Sequence, residues 1–204
     1  LTPKQFVHEY KIFDQMGICE DDYSWETFGD VEGTATGLST SPRVLAKLGQ
    51  LYLQKGFAAE GLPLIDSAWV EASTTNQLPD DTASVQSLFR GYGYQWYTDR
   101  EERRDCAWDP VPSLEGAYAA NGAFGQQIIV IPSQNIVIAL MSNDFTYVYN
   151  NVFLVIILEH LYDLQNKAAA AADVDDEKCG TFSLWQFLRS STIALVIGIV
   201  KVIY

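Results

Sequence analysis

A chain of 204 residues, 48% hydrophobic and 13% aromatic, can form one packed domain and is too apolar to be disordered. Its formal net charge of −13 argues against a nucleic-acid partner, because binding to nucleic acid requires basic residues that neutralise phosphates. Two histidines and three cysteines lie far apart and form no Cys-x-x-Cys pair, so the sequence predicts no metal site and no cofactor.

The first part of the chain is predicted to be helical. Apolar residues at helical spacing predict an amphipathic helix over 3–16, followed by a Gly-, Asp- and Thr-rich loop over 19–40. A second helix begins after Ser41, which is a good N-cap because Pro42 follows it, and ends at Gly56. A shorter helix is predicted after residue 66.

The middle of the chain changes to strand-like periodicity. Alternating aromatic residues predict a strand over 91–97, and mostly apolar strands are predicted over 117–123, 126–131 and 136–142. A long amphipathic helix is predicted over 149–164. Helices, then an antiparallel run of strands, then a helix indicate the α+β class, with an antiparallel sheet packed against helices.

Four segments carry a family resemblance through their order along the chain. They are KIFDQMGI at 11–18, GLSTSPRVLAKLGQLYLQKG at 37–56, GYGYQW at 91–96 and GAYAANGAFGQQIIVIPSQNIVIALMSN at 116–143. In this order they resemble the serine β-lactamase, DD-peptidase and esterase family. The resemblance covers 3–164, and Val44 stands where the family usually has Asp. It implies the C-terminal portion of a β-lactamase/transpeptidase-like fold, incomplete in this chain.

The family's nucleophile motif, Ser-x-x-Lys, occurs nowhere in the 204 residues. A serine without a neighbouring base or lysine is a poor nucleophile, so the chain alone is expected to be inactive. The resemblance implies a serine hydrolase that forms an acyl-enzyme, with its first two motifs upstream of Leu1. Tyr149-Asn150-Asn151 spells the family's Tyr-x-Asn, but it follows the third motif and is interpreted as a helix-cap region.

The third motif of the family, Lys-Thr-Gly or a variant, matches Ala120-Asn121-Gly122. The resemblance implies that Ala120 and Asn121 contact substrate, that Gly122 allows close approach, and that the Ala123 N–H donates to an oxyanion. Without lysine at position 120 the strand favours a neutral ester or amide over a substrate carboxylate. The alternative is that this glycine and Gly125 serve only a bulge or close strand packing.

Aromatic residues on the strand over 91–97 have two possible roles. Trp96, together with Tyr94, is a candidate for lining a substrate cleft. Aromatic residues that alternate along a strand more often belong to the core, which is the second possibility.

The C-terminal tail is predicted to lie outside the domain. We predict a hydrolase-type domain over 1–166, an acidic, Ala-rich linker over 167–181 and a hydrophobic helix over 182–204 that associates with a membrane. The domain is then expected on the non-cytoplasmic side. Arg189 and Lys201 shorten the uncharged stretch, so a membrane-surface helix, a truncated span and an apolar tail that packs on a partner remain alternatives.

Two further functional interpretations stay open at this point. One is a non-catalytic, membrane-tethered binding module, a pseudoenzyme on the same fold, which fold alone does not distinguish from an enzyme. The other is an unrelated acidic, membrane-tethered α+β protein. That interpretation fails if the strands of 91–142 form one antiparallel sheet backed by the helix over 149–164.

Overall fold

The structure is a computed structural model that describes residues 1–34, 36–58, 61–79, 91–98, 116–143 and 163, together with the backbone of a strand at 193–196. These residues form helices and a mainly antiparallel sheet, so the predicted α+β class is confirmed.

The predicted first helix is divided in two. Helix α1 (Pro3–Glu9) is separated from helix α2 (Ile12–Gln15) by Lys11, whose φ of 51° lies in the left-handed region. The break lets Phe13 enter the core, where its ring packs edge-on against Tyr23 at 4.8 Å between centroids. Burial of this ring therefore outweighs the local preference for one continuous helix.

The segment over 19–40 was predicted to be a loop, and this prediction was wrong in part. Cys19 precedes a 3₁₀ turn, and short antiparallel strand pairs follow. Strands of two or three residues are too short to leave a recognisable period in the sequence. The pairs are β1 (Tyr23–Trp25) with β4 (Leu38–Thr40), and β2 (Thr27–Phe28) with β3 (Val31–Glu32).

The two capped helices are confirmed. In helix α3 (Pro42–Leu53), the Ser41 hydroxyl accepts a hydrogen bond from the Val44 N–H at 3.4 Å. Helix α4 (Ser67–Thr74) begins after Asp66, whose carboxylate accepts from the Ala68 N–H at 2.9 Å. The Val44 side chain is buried beside Phe13 and Tyr23, so this position serves the core.

One six-stranded sheet contains the predicted apolar strands. Every pairing is antiparallel except that of β10 with β9, which is parallel. In spatial order the strands are β10 (Ile193–Val196), β9 (Ile136–Leu140), β8 (Gln127–Ile131), β7 (Tyr118–Asn121), β6 (Tyr97–Thr98) and β5 (Gly91–Tyr92).

Both faces of the central strands are buried, as predicted for β8 and β9. On one face Val130 and Val137 pack with partly buried residues of α3, including Leu45 and Leu48. Helix α3 lies close to this face because Gly49 has no side chain: a Cβ atom there would lie 2.5 Å from Val137 Cγ1. This packing fixes α3 against the middle of the sheet.

The predicted single strand over 91–97 is two short strands. Strands β5 and β6 form a hairpin in which the Gly93 N–H donates to the Trp96 carbonyl at 2.7 Å. A Cβ atom on residue 93 would collide with the Ser73 carbonyl oxygen, so the glycine allows the hairpin to reach α4. The aromatic alternation resembled one strand, but a turn divides it, with Gln95 in the left-handed region at a φ of 68°.

The predicted C-terminal helices fall largely outside the described residues. Of the helix predicted over 149–164, only Asp163 is described, and it is helical and exposed. Within the tail predicted to be a helix over 182–204, Ile193–Val196 is instead a strand, which corrects the prediction at these residues. Branched apolar side chains favour strands, and β9 offers a backbone edge for pairing. In the part of the chain that the structure describes, no helix has the length and apolarity to cross a membrane.

Candidate functional site

Strand β7 carries the residues that match the family's third motif, and we call it the third-motif strand. It extends further than its neighbour β6. Strand β6 pairs with β7 only as far as the Tyr97–Ala119 pair, and the preceding residue, Trp96, belongs to the hairpin turn. On its other side, β7 remains paired with β8 up to Asn121. Ala120 and Asn121 therefore continue one side of the sheet past the end of β6.

A tight turn follows directly and is closed by backbone hydrogen bonds. The Gly122 N–H donates to the Gln126 carbonyl at 2.7 Å, and the Gly125 N–H donates to the Gly122 carbonyl at 3.3 Å. A Cβ atom on residue 122 would lie 3.3 Å from Gln126 Cβ, which is close but not a severe collision. Close packing, one of the alternatives for Gly122, is therefore present here.

Ala123 is the first residue of the 3₁₀ turn Ala123–Gly125 and is exposed. Its N–H makes no hydrogen bond to any residue that the structure describes. The next residue, Phe124, has a φ of 64°, and Gly125 a φ of 88°. A left-handed conformation costs a bulky residue about 1–2 kcal/mol, and such conformations often occur at functional sites. Sequence reasoning missed Phe124, since nothing local distinguishes it from an ordinary turn residue.

The side chains of Asn121 and Gln127 lie opposite each other on β7 and β8. The Asn121 Oδ1 and Gln127 Oε1 atoms are both buried, and neither has a hydrogen-bond partner among the described residues. Most buried polar atoms in proteins are hydrogen-bonded, so two unpaired acceptors on one face are unusual. This pair offers hydrogen-bond acceptors and no positive charge.

The structure does not bring together the side chains of Ala120 and Asn121, the two residues predicted to contact substrate. Ala120 packs with Trp96 and Tyr118 on the face that α3 covers. Asn121 points to the opposite face, because side chains alternate along a strand. The four predicted residues, 120–123, therefore form a site through their continuous backbone and not through side chains on one face.

Trp96 is 7% exposed and packs against the rings of Tyr52, at 4.4 Å, and Tyr118, at 5.2 Å. Its burial favours the core alternative over a role in a substrate cleft. Tyr94 is 48% exposed and its ring lies parallel to that of Trp69, with an angle of 7° between them. Sequence reasoning missed Trp69 because the two residues come from different elements.

Comparison with protein families identifies a match over most of the chain. The family model described as Beta-lactamase matches residues 8–152, which is well over half of the chain. A search of curated proteins gave no match. Because the family model matches, the interpretation as an unrelated acidic α+β protein is wrong. The chain belongs to the beta-lactamase family.

Proposed function

We propose that this chain forms the sheet side of a serine hydrolase active site that cleaves a neutral ester or amide through an acyl-enzyme. The nucleophile, a serine in a Ser-x-x-Lys motif, is supplied by sequence N-terminal to Leu1. The backbone of Gly122 and Ala123 forms part of the site, and Asn121 contacts the substrate.

The Ala123 N–H is the observation that carries this proposal. It belongs to an exposed residue at the end of strand β7 and makes no hydrogen bond to any described residue. A preorganised backbone donor of this kind stabilises an oxyanion in the transition state by about 3–4 kcal/mol. Because the donor belongs to the backbone, this role does not depend on the side chains that differ from the family pattern.

The proposed substrate class follows from the charge at the strand and from that of the whole chain. Position 120 is Ala, so no side chain there pairs with a substrate carboxylate, and the chain's net charge of −13 repels anions. Both features support a neutral ester or amide over an anionic substrate.

A second candidate is a binding module without catalysis. The specific observation in its favour is that no serine of these 204 residues has a lysine three positions later. In a binding module of this kind, residues 120–123 at the end of β7 bind a small neutral ester or amide without acylation. Membrane association of the tail, with the domain on the non-cytoplasmic side, is part of both proposals, but it excludes Ile193–Val196, which pair with β9.

Active-site labelling separates the two candidates. The transcript is sequenced upstream of Leu1, and the encoded protein is treated with a fluorophosphonate probe that acylates activated serines. The hydrolase proposal predicts labelling at a Ser-x-x-Lys serine, and mutation of that serine to Ala abolishes the label. Absence of the motif together with absence of labelling would leave the binding module.

A further inference from the structure

Two exposed aromatic rings stack on each other at the edge of the sheet that carries β5 and β6. Trp69 of α4 and Tyr94 of the β5–β6 turn are 50% and 48% exposed. Their rings are parallel within 7°, with centroids 5.4 Å apart, which is an offset stacked arrangement. We call this pair the Trp69–Tyr94 platform.

The backbone beneath the platform is fixed. The Tyr94 N–H donates to the Ser73 carbonyl at 3.0 Å, and Ser73 lies one helical turn after Trp69 on α4. Gly93 passes so close to that carbonyl that no side chain fits. The following segment is also attached, since Asn76 Oδ1 accepts from the Tyr92 N–H at 3.0 Å. The platform is therefore preorganised, which lowers the entropy lost on binding.

The strand register places the platform at the same end of the sheet as the candidate site. Strands β6 and β7 are antiparallel, and their last pair at this end is Tyr97 with Ala119. The hairpin turn that contains Tyr94 therefore lies at the same end of the sheet as Gly122. Trp96, two residues after Tyr94, packs in the same cluster as Ala120.

We propose that the Trp69–Tyr94 platform binds a planar aromatic group of the substrate. This inference rests on the proposed hydrolysis of a neutral ester or amide and narrows its substrate to one with a phenyl-like substituent. A third ring extends an offset stack favourably, and the chain's negative charge disfavours an anionic group. Exposed aromatic surface beside a polar site is typical of ligand binding.

The test compares two neutral amides that differ only in the ring. N-benzylacetamide and N-methylacetamide are titrated against the 204-residue chain by NMR. The variants are Trp69→Ala, Tyr94→Ala and Trp69→Phe, with Phe28→Ala as the matched control at a 59% exposed ring elsewhere. Thermal unfolding of each variant verifies that it is folded. If Trp69→Ala does not fold, Tyr94→Ala still tests the proposal.

The proposal predicts that the benzyl amide binds more tightly than the methyl amide. Each Ala variant weakens benzyl binding by roughly 3- to 10-fold, Trp69→Phe retains most of it, and Phe28→Ala changes nothing. Equal affinity for the two amides, or an equal loss in the control, would overturn it. The assay needs no nucleophile. Ring-dependent binding without serine labelling therefore refutes only hydrolysis, and labelling without ring-dependent binding refutes only the platform.

Discussion

Gly122 and Gln126 close a turn at the end of the third-motif strand through a 2.7 Å hydrogen bond from N–H to carbonyl. The two residues hold Ala123 at the outer side of the turn, where its N–H makes no bond to a described residue. The turn therefore presents one backbone donor, and this does not depend on which side chains surround it.

Gly49 is predicted to be essential for docking α3 on the sheet. In Gly49→Ala the new Cβ atom would lie 2.5 Å from Val137 Cγ1 and 2.7 Å from Ile128 Cγ2. Overpacking of this kind lowers the free energy of unfolding by about 1–3 kcal/mol, although Ala has the higher helix propensity. Urea denaturation of the chain measures the loss.

A double variant provides the control for Gly49→Ala. Val137→Ala removes one of the two colliding methyl groups, so Gly49→Ala is expected to be less destabilising in that background. If Gly49→Ala destabilises both backgrounds equally, contact with Val137 is not the cause.

Gln127 is predicted to be replaceable by an apolar residue of similar shape. Its side chain is 5% exposed and its Oε1 has no hydrogen-bond partner among the described residues. Gln127→Met removes this buried acceptor, so the free energy of unfolding is expected to stay equal or to rise by about 1–2 kcal/mol. Chemical denaturation is the measurement, with Gln15→Met on the exposed side of α2 as the control. A loss above about 1 kcal/mol would contradict this prediction.

Tyr118 is predicted to make the fold sensitive to alkaline pH. Burial, and secondarily the neighbouring Tyr52, raises the pKa of the Tyr118 hydroxyl well above its ordinary value. The phenol of the unfolded chain ionises near pH 10, whereas the folded one stays neutral to higher pH. Stability from this group is therefore complete below about pH 10 and is lost as the pH rises further.

Tyr118→Phe is expected to reduce that alkaline loss of stability. The difference in unfolding free energy between wild type and Tyr118→Phe, measured at pH 8 and pH 11, shifts in favour of the variant at pH 11. Tyr10→Phe, at a 55% exposed ring, serves as the control and shows no such shift. A pH-independent difference for Tyr118→Phe would contradict the burial argument.

The strands of the central sheet could be predicted because their residues form apolar runs that are bounded by turn residues. Strands β8 and β9 agree with prediction within two residues at each end. The hairpin of β5 and β6 could not be predicted, because its turn depends on the close approach of Gly93 to Ser73 in another element. The division of the first helix at Lys11 likewise depends on tertiary burial of Phe13.

The candidate site was predictable only as a stretch of backbone. The family pattern located residues 120–123, but it did not reveal that Ala120 and Asn121 face opposite sides of the sheet. The unpaired acceptor of Gln127 becomes apparent only when β8 is aligned with β7. The Trp69–Tyr94 platform combines a helix with a turn, and no local pattern connects two such residues.

The central claim is that the Ala123 N–H donates to the oxyanion. Ala123→Pro tests it most directly, in the proposed hydrolase with its Ser-x-x-Lys segment N-terminal to Leu1. Proline suits the first position of a 3₁₀ turn, and the extended Gly122, with ψ 160°, suits the residue before it. The substitution therefore removes the donor with little change in fold, while Ala123→Gly keeps the donor. The predicted result is a fall of about 10²–10³-fold in kcat/KM for p-nitrophenyl butyrate in Ala123→Pro only, with an unchanged thermal midpoint. Hydrolysis by Ala123→Pro at the rate of the wild type would contradict the account.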